Sequence, residues 1–352
     1  MINVLVTAVG GNGNGSQILK ALVMAENGAP GYYRIYGTDR HQCMDGLALD
    51  GRFAQLPDAT SPEYLPSVLK LCSHWNVDVL FPGSDAELFV FAENMESFID
   101  LGVCVPIQRR ELIEWCRTKV CIQNHMLRLG IPVPQSYSGD TPYELNRLDN
   151  YPYILKPTEN GGGSRGVYIA QDYEEIRNLF GYLKLKPESP AYILQEYIGK
   201  TDSEFSVGIL HDGDGVYVGG VALNRDLTTN LNIAIRIRNI SKRQDLGAEL
   251  IVSSGISQGR IGGYLDIVEQ CRNIAETLLS TGPLNIQCRV VENKVIVFEI
   301  NPRLSGSTSL RALVGFNEPD LLVKRFHQRD VRSKPQGIES VYITRKLIEI
   351  VE

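Results

Sequence analysis

A chain of 352 residues is too long for one ordinary hydrophobic core, so two or three folding units are expected. With 43% hydrophobic and 22% charged residues it reads as a soluble globular protein. A formal charge of −6 with no basic block argues against nucleic acid as a partner. No apolar run approaches the ~20 residues of a membrane span, so no membrane partner is expected. The seven cysteines include no CxxC pair and no zinc-type spacing; their odd, scattered count points to reduced thiols in a cytoplasm. The start, MINVLVTAVGG, lacks a basic n-region and reads as a first strand, not a signal peptide.

Residues 2–9 (INVLVTAV) form a buried-strand run, followed by a glycine-rich turn over 10–16 and a helical pattern over 17–24. Strand, glycine turn and helix open a doubly wound sheet. A second strand over 33–36 ends at Gly37-Thr38-Asp39. A helix is expected over 65–75, a third strand over 77–81 and a fourth over 103–107. After the third strand, Ser84 or Asp85 would cap a helix beginning near Ala86. Residues 1–115 thus read as a compact α/β unit. Its glycine turn, with Asp39 closing strand two, is similar to a dinucleotide fingerprint in which the acid takes a ribose hydroxyl. The fit to GxGxxG is loose, because Ser16 stands at the last place. An anionic group at the helix N-terminus, a substrate carboxylate included, fits the same turn.

A helix over 117–129 ends at Gly130 and Ile131-Pro132-Val133-Pro134. A strand over 153–157 then carries Lys156 into 158–166 (TENGGGSRG), and a return strand follows over 167–170. Backbone N–H groups of such a loop fold over phosphate oxygens, with Lys156 as an adjacent charge. The same residues also suit a flexible hairpin tip. A helix over 172–184, a strand over 191–196 and a strand opened by Glu204 come next. Asp212-Gly213-Asp214-Gly215 is a tight turn into 216–222. The segment 224–239, with Arg225, Arg236 and Arg238, reads as a substrate-facing loop or as an edge strand with snorkelling arginines. A helix over 263–279 leads to 285–303 (NIQCRVVENKVIVFEINPR), and a helix through Leu313 and a last strand over 340–344 follow.

The stretch 285–303 carries the most chemistry. With 292–294 as the loop, partner positions sum to 586. Ile286, Cys288 and Val290 then share an apolar face with Ile296, Phe298 and Ile300. The opposite face carries Asn285, Gln287, Arg289, Glu299 and Asn301, with Gln287 across from Glu299. One carboxylate and two amides thereby converge, and their oxygens suit a hard cation such as Mg²⁺. An ordinary hairpin with one wet face is the competing description.

Taken in order, Lys119, the Ile154-Leu155-Lys156-Pro157 strand, the loop 161–166, Gln195-Glu196-Tyr197-Ile198, Glu204, Asn285-Ile286-Gln287 and Glu299-Ile300-Asn301-Pro302-Arg303 resemble the ATP-grasp superfamily. The branch they resemble is the one like carbamoyl-phosphate synthase, in which glutamine stands where Gln287 does. The resemblance implies an α/β chain with an α+β lid: an N-terminal doubly wound pre-ATP-grasp domain (1–115), then a two-subdomain ATP-grasp fold (116–325, lid about 135–197) and a C-terminal tail (326–352). It implies ATP with one or two Mg²⁺, or Mn²⁺ in their place. Lys119 and Lys156 would contact the phosphates under a cover formed by Gly161, Gly162, Gly163 and Ser164. Glu196, Tyr197 and Ile198 would form the hinge that reads adenine, and Glu204 would take the ribose hydroxyls. Gln287, Glu299 and Asn301 would hold the metal, and Arg303 would steady the transferred phosphoryl group.

The activity implied is that of an ADP-forming carboxylate–amine ligase. A small carboxylate, an amino acid among the candidates, is activated as an acyl phosphate and joined to an amine. The alternatives are carbamoyl-phosphate-type chemistry through carboxyphosphate, an NAD(P)-binding oxidoreductase and a non-catalytic ATP-binding protein. Against a full synthetase, the chain is about a third of that large subunit's length and holds one ATP-grasp unit. A homodimer is among the assemblies left open.

Overall fold

The computed structural model describes residues 1–11, 13–42, 52–138, 148–159, 162–184, 191–335 and 337–346. β1 (Ile2–Val6) is buried almost throughout, as an unbroken apolar run in a parallel sheet should be. α1 (Asn14–Gly28) returns the chain to β2 (Tyr33–Asp39), whose outer edge pairs with the short β3 (Phe53–Gln55). α2 (Tyr64–His74) leads to β4 (Val79–Phe81), completing a parallel sheet in the order β3-β2-β1-β4. The fourth strand is therefore β3 and not 103–107, where only Cys104 bridges to Val79. Pro106 has no N–H with which to extend that ladder. Ser84 caps α3 (Asp85–Glu93), its Oγ accepting from the Glu87 amide at 3.3 Å.

At the C-terminal end of β1 the backbone is packed to contact. A Cβ on Gly83 would lie 1.9 Å from the Thr7 carbonyl oxygen, and one on Gly15 would lie 2.2 Å from that of Ala8. Both positions require glycine for close approach. Together they bring the α1 N-terminus and the 82–85 loop to the end of the sheet where open α/β folds bind ligands.

α4 (Met95–Asp100), α5 (Arg110–Trp115) and α6 (Lys119–Arg128) carry the chain onward. A second sheet is antiparallel: β5 (Ser136–Ser138), β6 (Tyr153–Pro157), β7 (Tyr168–Ala170) and β8 (Tyr192–Glu196), in the order β5-β8-β6-β7. α7 (Tyr173–Lys184) backs this layer, and Ile176 packs with Tyr153, Leu155 and Leu194.

The largest sheet draws on the rest of the chain. It uses β9 (Glu204–His211) and β10 (Tyr217–Arg225), while β11 (Ile233–Arg238) and β12 (Glu249–Ser253) form a separate pair. β13 (Gly259–Ile261) and α8 (Leu265–Thr277) come next. β14 (Pro283–Val291) and β15 (Lys294–Asn301) form the long hairpin. α9 (Thr308–Leu313), α10 (Glu318–Leu322) and β16 (Val341–Ile343) finish the chain. The order β15-β14-β9-β10-β13-β16 is antiparallel at every pairing. α8 buries Cys271, Ile274 and Ala275 against Val207, Ile209, Ile286 and Cys288. Arg225 ends β10 whereas Arg236 and Arg238 lie on β11, so the three arginines belong to different sheets and do not form one loop.

The hairpin differs from the simple register in one respect. Asn285 pairs with Asn301, Ile286 with Ile300 and Gln287 with Glu299 as expected, but Cys288 pairs with Val297 and Val291 with Lys294. A bulge at Phe298 takes up one residue. The loop is then two residues long, Glu292-Asn293, with φ of 48° and 63° as a type I′ turn requires. The apolar face accordingly consists of Ile286, Cys288, Val290, Val295, Val297 and Ile300, with Ile296 and Phe298 excluded from it. Because the bulge lies beyond Gln287, it leaves the Gln287–Glu299 pairing intact.

Candidate active site

A cavity of about 500 Å³ opens between the three main sheets, a size suited to a small-molecule ligand. Lys119, Lys156, Gly163, Ser164, Glu196, Tyr197, Ile198, Glu204, Gln287, Glu299, Asn301 and Arg303 all line it. Gly162 lies in the same loop, and Gly161 lies outside the described residues.

At one end the charges are concentrated. Lys156 is buried, with Nζ donating to Gln195 Oε1 at 2.8 Å and to the Phe298 carbonyl at 3.1 Å. Loss of hydration pushes its pKa from 10.5 down to about 8, and Glu299 only partly restores it. The Lys119 amide donates to the Thr158 carbonyl at 3.0 Å, which ties the start of α6 to the strand that enters the glycine loop. That loop is folded inward. Ser164 Oγ donates to the Ser253 carbonyl at 2.6 Å, and a Cβ on Gly255 would come within 3.1 Å of Gly163 Cα.

The opposite end is built around Glu204, which is buried. Its Oε2 accepts from Arg289 Nη2 at 2.9 Å and Nε at 3.2 Å. Its Oε1 lies 3.5 Å from Arg225 Nη1 and makes no hydrogen bond among the described residues. Burial opposes ionisation of this acid, but Arg289 and then Arg225 outweigh it and lower the pKa. Arg225 is itself pinned by Ser253 Oγ (3.0 Å) and the carbonyls of Ser254 (2.6 Å) and Ile256 (3.0 Å). Arg289 also donates to the Ile198 and Ile251 carbonyls, both at 3.0 Å, and lies 4.5 Å from the Tyr197 ring centre. With Arg225 at 3.5 Å and the Ser253 hydroxyl beside the acid, Oε1 still has lone-pair capacity to accept from a ligand hydroxyl.

Between the two ends runs the segment 196–198. The Glu196 and Tyr197 amides donate to the carbonyls of Gln135 (2.8 Å) and Pro152 (3.0 Å), whereas the Ile198 amide has no acceptor among the described residues. The Glu196 carboxylate is paired with Arg243 at 2.9 Å. A ligand contact to a hinge amide is therefore left to Ile198. Tyr197 is locked by its hydroxyl, which donates to the Ile251 carbonyl at 3.0 Å and accepts from the Ile251 amide at 2.8 Å.

The third region lies toward β1. Gly13, Ser84, Asp85, Gly255, Ser305 and Gly306 line it. Asp85 takes a two-pronged grip from Arg303, through Nε and through Nη2 at 3.0 Å. Glu87, two residues further along α3, is not among the residues that line the cavity. It is buried, and accepts from Tyr64 Oη (2.7 Å), Ser84 Oγ (2.9 Å) and the Gly83 amide (3.2 Å), so it shapes the loop instead. The Asp39 oxygens are taken by the Gly10 amide (2.8 Å) and the His41 amide (2.9 Å). The acid that a dinucleotide ribose would need is thus committed to its own loop.

The described residues contain no group of three or more His, Cys, Asp or Glu side chains that could hold a metal. Glu299 is one carboxylate beside two amides. Asn301 Nδ2 donates to Glu299 Oε1 at 3.2 Å, and Asn301 Oδ1 accepts from Arg303 Nη2 at 3.2 Å. Such a set fits Mg²⁺, which keeps several waters and shares phosphate oxygens, better than a metal requiring a full protein cage. Participation of Asn301 through its oxygen would require its amide to turn.

A family described as "ATP-grasp in the biosynthetic pathway with Ter operon" matches residues 254–346, and "PylC-like, N-terminal domain" matches residues 4–106. The carbamoyl phosphate synthase large chain of Archaeoglobus fulgidus is 29% identical over 182 residues, covering 51% of this chain and 15% of that one. The chain is an ATP-grasp protein of the carbamoyl-phosphate-synthase-like kind. An uncharacterized protein of Sinorhizobium fredii is 26% identical over 204 residues, 56% of this chain and 38% of that one. This ATP-grasp chain thus spans well under half the length of these relatives. L-amino acid ligase from Bacillus licheniformis shares its fold, with a TM-score of 0.62, 14% identity, and coverage of 96% of this chain and 75% of that one.

Sequence reasoning placed Arg289 on the right face without giving it a partner, and grouped Arg225 with arginines of another sheet. The segment 253–257 drew no reading at all, although its run of serines and glycine (SSGIS) is the small, polar composition that lines the cavity.

Proposed function

We propose that this ATP-grasp protein is an ATP- and Mg²⁺-dependent, ADP-forming ligase that activates a small carboxylate and joins it to an amine. The observation that carries this reading is the polarity of one cavity. Two lysines, Glu299 and Arg303 gather at one end, and a buried acid, Glu204, held between Arg289 and Arg225, lines the cavity at the other. A nucleoside triphosphate has that same division between phosphates and hydroxyls.

Lys156 and Lys119 neutralise phosphate charge, and the 162–166 loop excludes water from the reacting atoms. Glu299, with Gln287 and Asn301, would hold Mg²⁺, which would supply further neutralisation of phosphate charge. A carboxylate oxygen attacks the γ-phosphorus, the bond to the β–γ bridging oxygen breaks, and ADP leaves. The amine nitrogen then attacks the acyl carbon, the bond to the phosphate oxygen breaks, and the amine's proton passes to solvent. Phosphoryl transfer of this kind needs positioning and charge stabilisation more than a covalent side chain. The likeness to carbamoyl phosphate synthase favours a second reading in which the attacking acid is bicarbonate and the intermediate is carboxyphosphate.

The test is phosphate release from ATP over pooled small carboxylates and amines, bicarbonate with ammonia included, followed by mass detection of the product. Release that requires both an acid and an amine supports the ligase. ATP turnover indifferent to every pool would remove it.

A further inference from the structure

The β1 end of the cavity is walled largely by glycines and serines, and its charged side chains are Asp85 and Arg303, with Lys119 nearby. Asp85 opens α3 and Arg303 follows β15, 218 residues away, yet the two are joined through both carboxylate oxygens. The Asp85 side chain keeps 51% of its surface exposed, and that surface lies within the cleft. The arrangement poses a difficulty for phosphoryl transfer. The arginine beside Glu299 and Asn301 has two of its three nitrogens committed to an acid, so its charge is largely cancelled where negative charge must develop.

An α-amino acid resolves this by partner exchange. Its ammonium takes the Asp85 carboxylate, and its own carboxylate takes Arg303. One ion pair becomes two with no change in the net charge of the cleft. A plain carboxylate that took Arg303 would leave Asp85 unpaired beside the phosphates, a like-charge arrangement that costs affinity. The glycine and serine walls leave room for a small, polar side chain and offer little apolar surface to a large one.

We propose that the carboxylate activated here is that of a small α-amino acid, and that Asp85 receives its ammonium group and so releases Arg303 to the carboxylate. This rests on the ligase reading above. A pair that merely tied the N-terminal unit to the rest of the chain would affect all substrates alike. Discrimination between amino and des-amino acids therefore separates the two roles.

Hydroxylamine makes the test independent of the unknown amine, because its nitrogen attacks the acyl phosphate and expels phosphate as a hydroxamate forms. The full chain with MgATP and hydroxylamine is offered the common L-amino acids, each beside its des-amino and N-acetyl counterparts. Hydroxamate and ADP are measured together. The expected result is at least one small amino acid whose kcat/KM exceeds that of its counterparts by about 100-fold, since a site built around a substrate N–H rejects analogues that lack it. Asp85→Asn is expected to lower kcat/KM for that amino acid about 100-fold and to collapse the preference to within about threefold, with a non-hydrolysable ATP analogue bound at least as tightly as by the wild type.

Equal use of des-amino acids by the wild type, or an intact preference in Asp85→Asn, overturns the role of Asp85 and leaves the ligase standing. Absence of hydroxamate and ADP with every acid in both sets removes the ligase reading and this inference with it. Asp85→Ala serves as the second variant if Asp85→Asn fails to bind the ATP analogue, and the wild-type preference decides alone if neither variant folds.

Discussion

Lys156 offers a test of the phosphate end that reads out as pH dependence. Burial holds its pKa at about 8 against an ordinary 10.5, so the charged form costs the folded protein about 3 kcal/mol. The unfolded chain keeps this proton up to 10.5 whereas the folded chain gives it up near 8. Between those values the unfolded state binds more protons, and this group's contribution to stability rises with pH. Below pH 8 the full cost is present. Lys156→Met removes that cost but leaves the Gln195 and Phe298 oxygens without their donor, at about 1–3 kcal/mol each, so the stability of the ligand-free protein at pH 7 should change little. A triphosphate beside Nζ reverses the balance, because it favours the charged ammonium. Binding of MgATP should take up a proton above pH 8, and affinity should fall toward tenfold per pH unit between about 8.5 and 9.5. Calorimetry in two buffers of different ionisation enthalpy, repeated from pH 6.5 to 9.5, measures both quantities. Lys156→Met should bind MgATP weakly and without that proton uptake. A wild-type affinity flat through pH 9.5, or the same slope in Lys156→Met, would refute the placement of this lysine on phosphate.

Other expectations concern the remaining parts of the cavity. Glu299→Gln should abolish ADP formation with little change in thermal midpoint, checked by phosphate release beside a melting curve; full turnover would sink the metal assignment. Arg289→Met removes the two-pronged partner of a buried carboxylate and should destabilise the protein by about 3–5 kcal/mol, a loss read by urea denaturation. Gly255→Val should raise KM for ATP with kcat less affected, since a Cβ there already lies 3.1 Å from Gly163 Cα and a larger side chain holds the 162–166 loop open; an unchanged KM argues that the loop does not cover the nucleotide. Gly83→Ala should lower stability by at least about 1–3 kcal/mol, because its Cβ would meet the Thr7 carbonyl at 1.9 Å.

Much of the fold was legible because its elements declare themselves locally. The buried run that becomes β1, the turn at Asp212-Gly213-Asp214-Gly215 and the amphipathic stretch that becomes α8 all fall where periodicity and turn chemistry put them. Glu299 and Gln287 stood out because they share the polar face of a hairpin whose other face is apolar, and Lys156 because it leads into a glycine-rich loop, whereas Glu204 and Arg303 were marked only by the resemblance of their motifs. The bulge at Phe298 was not legible, since a one-residue slip beyond Gln287 leaves no mark in composition; the turn sets it by requiring two residues at positive φ. β3 was missed for a similar reason. Three residues, Phe53–Gln55, are too few for a pattern and become a strand only because β2 presents a free edge.

What stayed hidden was pairing at long range. Asp85 and Glu87 are both acids in the first turn of one helix, two residues apart. Their fates differ because Asp85 points into the cleft toward Arg303, while Glu87 turns back to Tyr64 and Gly83. The same holds for Arg225, Arg236 and Arg238, of which only Arg225 reaches the acid of β9. In each case the side chain's chemistry was visible but its partner was not, and the partner decides the role. A carboxylate answered by a tyrosine and a backbone amide is scaffold. A carboxylate answered by an arginine in the wall of the cavity can be exchanged for a ligand group, so the effect of Asp85 is expected in substrate choice more than in stability.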